Sequence, residues 1–559
     1  MNKYDNSTPF DSNLWSTAPE VDFAIKDLKE KICASGTIQR WHKRYDDNLR
    51  LILLNLFRAA NWDPEKYVAY SRKKETYQTL KFYKNPLLKY DAIVKLVDIL
   101  ANELGYIETK LGFSFREQGY FRTARMKATP EFIEMMKNEY DLSEFSPSRF
   151  PGERNIILRD KVDGKKVLVE YTPTPQTELM EKNLQQINTV LSQHHVGLCV
   201  ADSSTSRDKG RSNQVVQTDY KNDLQMLRLS LEMQGDGHLL DEAIHEMKTS
   251  IVLEEDPQHG DQIVFDEEMG GNFLEINRRH EGSAPSDIYS ATDFTRTVLS
   301  RVFNDGRFDH GGRFYRGWWQ SIPSKFRKFI RIDDEPVVEI DFSGLHFCLL
   351  YLESDLPIPA GDVYAVDGLP AKARPYLKRA LNIVLNSDDE SSAIGAIQAN
   401  CYLEKLRVAE LAKYSDKQII DMLLDKHSVL RDQGYFYSGY GVKLQYIDSM
   451  LAEAIMLDLA NQDIPALPVH DSFLVAKKHR NALYQAMMNA TRQRYSVEMK
   501  TKLSTTAYEE SLLVLRENIS EEDLPNSEEE FEHSWINQEA CKRYYSRFNA
   551  WRRRNINPT

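Results

Sequence analysis

The chain has 559 residues, of which 41% are hydrophobic, 11% aromatic and 28% charged, with a formal net charge of -12. That is too long for one hydrophobic core and too rich in core-forming residues to be disordered, so several packed units are expected. The acidic balance argues against a protein that coats nucleic acid indiscriminately, while leaving local basic grooves open.

No apolar run approaches the roughly 20 residues of a membrane span, and MNKYDNSTPFDSNLW has no signal-peptide pattern, so a cytoplasmic protein without a membrane partner is expected. Cys33, Cys199, Cys348, Cys401 and Cys541 are scattered with no CxxC pair, which indicates neither a zinc site nor a disulfide framework. Residues 1–75 carry helical periodicity. From Tyr90, YDAIVKLVDILANELGY reads as an amphipathic helix ended by Gly105, with strand-like segments and a further helix behind it. This order resembles a winged-helix module, so 76–200 is assigned as a nucleic-acid-binding region. ADSSTSRDKGRSNQ is polar and breaker-rich, a linker or exposed loop over 201–214, and 215–310 reads as a helical, thumb-like region. Acid gathers in VLEEDPQHGDQIVFDEEMGG and SEEDLPNSEEEFEHSW; base gathers in WRRRN and in GGRFYRGWWQSIPSKFRKFIR, where cations alternate with aromatics as in phosphate-gripping, base-stacking surfaces.

PVVEIDFSGLHFCLLY is a buried strand that ends on Asp341 and runs directly into another apolar segment. An unpaired buried carboxylate is costly, so Asp341 needs a partner, a metal or a raised pKa, unless it merely caps the next element. A second acid stands in IPALPVHDSFLVAKK, which reads as a β-hairpin with His470-Asp471 at its tip. Two aspartates at neighbouring strand ends can share Mg²⁺ with substrate phosphates, and two ions about 4 Å apart suit in-line nucleotidyl transfer.

With their flanks, these segments resemble the family A polymerase superfamily, which includes DNA polymerase I and the phage-type single-subunit RNA polymerases. EIDFSGLH matches the first catalytic motif and VHDSF the last, the His-Asp-Ser form being nearer the RNA polymerase branch. The resemblance implies an α+β right-hand polymerase with palm, fingers and thumb, its core over 311–510 and a C-terminal extension over 511–559. It implies two Mg²⁺ ions, or Mn²⁺ in their place, held by Asp341, Asp471 and the backbone carbonyl of Phe342. ARPYLKRALNIVLN resembles the fingers helix, placing Arg374 and Lys378 on the triphosphate, with Asn382 at the later nucleotide-facing position; Asn386-Ser387 stand where the family has Tyr-Gly. GGRFY with Arg313, QSIP with Gln320, GDVY with Tyr364 and LQYIDSMLAEAIM with Gln445 follow in the family's order, so Arg313, Gln320, Gln445 and His470 are expected on the template-primer.

Sugar choice in the family rests on the fifth residue after the first Asp, here His346, whose bulk points to ribose exclusion and to DNA as product. The partners implied are a DNA template-primer and deoxynucleoside triphosphates, with RNA as an alternative. The N-terminal half shows no acidic set for a proofreading exonuclease. The expected activity is a DNA-directed DNA polymerase. The alternatives are an RNA polymerase or primase-like synthesiser and, from another class, a non-catalytic replication initiator on a polymerase-like core.

Overall fold

The computed structural model describes residues 7–115, 120–200, 262–266, 273–277, 292–403, 406–504 and 541–555. The expected linker 201–214, most of the thumb-like span 215–310 and most of the C-terminal extension lie outside these residues. The described chain is a mixture of α-helices and several β-sheets. No described helix is long and apolar enough to cross a membrane.

Two hydrophobic cores form. The first draws on residues from Leu14 to Leu142. Its sheet has the order Ser7–Pro9, Tyr67–Ala69, Arg125–Ala128, Ile107–Lys110, with the first pair parallel and the others antiparallel. The helix Tyr90–Asn102 forms where expected: Ile93, Leu96, Val97 and Leu100 recur at helical spacing and are buried. Gly105, at φ +65°, occupies the left-handed conformation that ends it.

An expected boundary near residue 75 does not separate two cores, because Tyr67–Ala69 lies between strands from either side of it. Of the strands after Tyr90, Ile107–Lys110 and Arg125–Ala128 belong to this shared sheet, the hairpin Phe113–Phe115 with Tyr120–Arg122 forms a separate ribbon, and Ser148–Arg149 pairs with Leu14–Trp15.

The second core runs from Ile156 to Met499 and contains both candidate aspartates' strands. Its central sheet has the order Val196–Leu198, Ile330–Ile332, Glu335–Phe342, Ser472–Ala476, Leu467–Val469, and Thr501–Leu503 pairs with the far end of Glu335–Phe342. All of these pairings are antiparallel. Along Glu335–Phe342, Val338, Ile340 and Phe342 are buried while Glu339 and Asp341 alternate onto the more open face. The helix Leu345–Glu353 follows at once and is almost wholly buried, as is much of Gly441–Ala460.

A second sheet orders Lys165–Leu168, Ile156–Val162, Ser300–Phe303 and Gly311–Tyr315. The packed core therefore begins well before Gly311, the start expected from the sequence: Ile156–Val162 comes in parallel beside Ser300–Phe303. A C-terminal helix, Lys542–Asn555, buries Tyr544 and Trp551; Arg547–Glu144 at 2.8 Å and Arg554–Glu20 at 2.9 Å tie it to the first unit, and the Tyr544 hydroxyl donates to Asp334 of the second at 2.9 Å.

Candidate active site

Asp341 and Asp471 come together at one end of the central sheet. Asp341 lies directly opposite Ser472 in the antiparallel register, and Asp471 is the residue before it. The turn His470-Asp471 closes the hairpin between Val469 and Ser472, with His470 exposed and at φ +60°. Directly opposed antiparallel residues have Cα atoms about 4.5–5.5 Å apart, so this register brings the two carboxylates onto neighbouring positions.

Burial is the largest influence on Asp341, followed by the charge of Asp471; together they push its carboxyl up to about 7, against the opposing pull of Lys378. Its Oδ1 is buried with no hydrogen-bond partner. Glu339, on the same strand face, is already neutralised: Arg327 donates to it at 2.7 Å and the Ser472 hydroxyl at 2.6 Å.

Among the described residues no cluster of three or more His, Cys, Asp or Glu side chains is gathered as for an all-protein metal cage. A pair of carboxylates, one with an orphaned oxygen and a proton affinity raised by its neighbour, fits Mg²⁺, which takes one or two carboxylates and completes its shell with water and phosphate oxygens. Phe342, whose carbonyl the resemblance assigns to the metal, lies opposite Thr501.

The helix Arg374–Asn386 brings Lys378 within electrostatic reach of Asp341. Lys378 is exposed, and its ammonium acts electrostatically on Asp341. Arg374 is tethered: its Nε donates to Asp362 at 2.7 Å and its guanidinium lies 5.1 Å from the ring centre of Tyr364. Tyr364 itself is only 2% exposed, so its ring supports the site from beneath. Asn382 is half-buried, and its backbone carbonyl accepts from the Asn386 side chain at 2.7 Å. Asn386 lies against Gly441, where a Cβ would sit 2.2 Å from its Oδ1. The amide thus closes the helix against Gly441–Ala460 where the family has Tyr-Gly, and Tyr435, Tyr437 and Tyr440 occur just before that helix.

His346 and Arg313 meet on a residue that sequence reasoning passed over. Asp448, 2% exposed, accepts from Arg313 Nε at 2.9 Å and has its Oδ2 2.9 Å from His346 Nε2. Arg313 also lies 3.0 Å from that imidazole nitrogen. One turn along, Arg301 is fully buried and donates to Glu453 at 2.8 Å, to Ser449 at 3.0 Å and to the Gly312 carbonyl at 2.9 Å. The signal was present: acids inside the apolar run LQYIDSMLAEAIM require buried partners.

Gln320 is differently occupied. Its amide donates to the carbonyls of Phe314 and Pro468 at 2.9 and 3.0 Å, and the Trp319 indole donates to Pro468 as well, so this segment braces the Asp471 hairpin. Gln445 is half-buried and makes no side-chain hydrogen bond among the described residues.

A comparison with protein-family models finds no match. One with curated proteins finds none either.

Proposed function

We propose that the chain is a template-directed nucleotidyltransferase, a DNA polymerase of family A type with a right-hand arrangement. The observation that carries this reading is the convergence of Asp341 and Asp471, far apart in sequence, onto adjacent positions of one sheet end within electrostatic reach of Lys378. Asp341, Asp471 and the Phe342 carbonyl would hold Mg²⁺, which when bound supplies activation of the attacking hydroxyl and stabilisation of the leaving pyrophosphate.

The chain's own groups do the rest. Lys378 offers an exposed ammonium to the triphosphate, and Arg374 joins it from a position fixed by Asp362 and Tyr364. His346, anchored through Nε2 on the buried Asp448, presents a rigid imidazole beside the sugar position and so selects deoxyribose. Asp448 keeps the Arg313 guanidinium oriented toward the duplex.

Primer extension on a DNA template, with deoxynucleotides and ribonucleotides supplied in turn, tests the assignment. Wild type should extend with deoxynucleotides, and Asp471→Asn should lose about two to three orders of magnitude in rate, as expected when a group stabilising transition-state charge is removed. Extension with ribonucleotides alone would make the product RNA. Template binding without incorporation would make the chain an initiator on this core.

A further inference from the structure

Cys199 and Cys541 are separated by more than half the chain, yet the fold packs them into one small cluster with Tyr544. Both are only 1% exposed, and the Cys199 side chain is hydrogen-bonded to that of Cys541. They stand as a dithiol in this structure. We propose that the two form a reversible disulfide, an oxidisable clasp that fastens the C-terminal helix Lys542–Asn555 to the edge of the central sheet.

The backbones on either side are already held. Cys199 directly follows the edge strand Val196–Leu198, and its N–H donates to the Phe329 carbonyl at 3.0 Å. Cys541 opens the first turn of the helix, its carbonyl accepting from the Tyr545 N–H at 3.1 Å. Between them the helix lies directly on the strand, since a Cβ at Gly197 would sit 2.8 Å from the Tyr544 ring. The Tyr544 hydroxyl anchors this contact on Asp334 at 2.9 Å. A disulfide tolerates only a narrow range of backbone separations, and docking of the helix supplies one for two distant cysteines. A single buried cysteine serves as a small apolar residue; two in contact add redox chemistry that alanine or valine would not. Among the other described cysteines, Cys33 is exposed and Cys348 lies in the second core, so Cys199 and Cys541 are the two that meet.

A low-molecular-weight disulfide such as oxidised glutathione supplies the oxidant. One protein thiolate attacks a glutathione sulfur and expels a glutathione thiolate. The other protein thiol gives up its proton and attacks the mixed disulfide, expelling the second. The protein loses two electrons and two protons, and two glutathione thiols are formed. The hydrogen bond to Cys541, followed by burial, raises the Cys199 thiol above its ordinary value, so the docked pair reacts slowly and exchange proceeds as the start of the helix opens. Once closed, the clasp ties to the second unit a helix that Arg547 and Arg554 pair with the first. It is independent of the chemistry at Asp341 and Asp471.

The full chain is incubated with oxidised glutathione under native conditions, alkylated, and mapped by mass spectrometry without reduction. A peptide linking Cys199 to Cys541 should appear, and should vanish with dithiothreitol. Amide hydrogen exchange over 542–555 should slow by at least about tenfold on oxidation, because the helix then opens against a covalent tie. Both changes should be absent in Cys541→Ser and, independently, in Cys199→Ala. No linked peptide, glutathione held on either cysteine without the link, a link obtained only in denaturant, or exchange unchanged by oxidation would overturn the proposal.

Discussion

At the scale of single residues, Asp341 sets function against stability. Its carboxyl titrates near 7 in the fold and near 4 in an unfolded chain, so between those values the folded state keeps a proton the unfolded state releases. Stability contributed by this group therefore falls as pH rises through that window and stays low above it. Asp341→Asn should melt about 1–3 °C higher than wild type at pH 8, with the difference shrinking toward pH 5. Added Mg²⁺ should raise the wild-type melting temperature at pH 8 and leave the variant almost unmoved, because the proposed site takes the ion through the ionised pair. A variant that melts lower than wild type at pH 8 would contradict the repulsion assigned to Asp471.

His346 and Asp448 belong to the same scale. Removing the imidazole by His346→Ala should raise ribonucleotide use relative to deoxynucleotides by at least about tenfold, within the discrimination a single steric contact provides. Asp448→Asn removes the charge that holds both His346 and Arg313, and breaking a buried pair costs about 3–5 kcal/mol, so it should lower the melting temperature and relax sugar choice together. Urea melts and paired single-nucleotide insertion rates separate the two effects. Unchanged discrimination in both variants would remove His346 from sugar selection.

Among elements, the helix Arg374–Asn386 and the helix Gly441–Ala460 meet at one close contact. A Cβ at Gly441 would overlap only the far end of the exposed Asn386 side chain, which must give up its bond to the Asn382 carbonyl to swing aside, so Gly441→Ala should destabilise by about 0.5–1.5 kcal/mol, the net worth of one hydrogen bond. Asn386→Ala opens the space. The double variant should recover most of the loss, giving a coupling energy of at least about 0.5 kcal/mol in a double-mutant cycle. Additive losses would show that the overlap is relieved by some other movement.

The same elements show what could be read in advance. The Asp471 hairpin was legible because its two apolar strands flank a tight polar turn, and the helix Tyr90–Asn102 because its apolar residues repeat at helical spacing. Pairing between distant segments was not. Nothing local to Ile156–Val162 states that it will lie in parallel beside Ser300–Phe303, and nothing local to Arg301 states that Glu453 will neutralise it. The bonds of Gln320 were not legible for a related reason: an amide suits a base edge or a backbone carbonyl equally, and only the fold brings the Pro468 carbonyl within reach.

For the whole molecule, the question is how two separate cores act as one body. The junction is ionic. Asp11 from the N-terminal unit meets Arg58 at 3.0 Å and Arg149 at 2.5 Å, and Glu153 meets both Arg149 at 2.5 Å and Arg316 at 2.9 Å. Burial alone would raise the Asp11 carboxyl; the guanidiniums of Arg149 and Arg58 overcome it and hold the group far below the usual carboxylate range. A depressed pKa contributes stability that is fully present above the unfolded value near 4 and is lost as pH falls toward the folded one. Acid should therefore loosen the junction before it dissolves either core, since the cores themselves are apolar. Calorimetry should show one dominant transition at pH 7 that splits into two below about pH 4 as the paired carboxylates take up protons. Asp11→Asn should reproduce the split at pH 7, because it removes the acid while leaving Arg58 and Arg149 buried against each other. A single transition at every pH, in wild type and variant alike, would mean that the apolar contacts of the C-terminal helix, with Tyr544 and Trp551 buried, hold the two units together without help from the ion pairs.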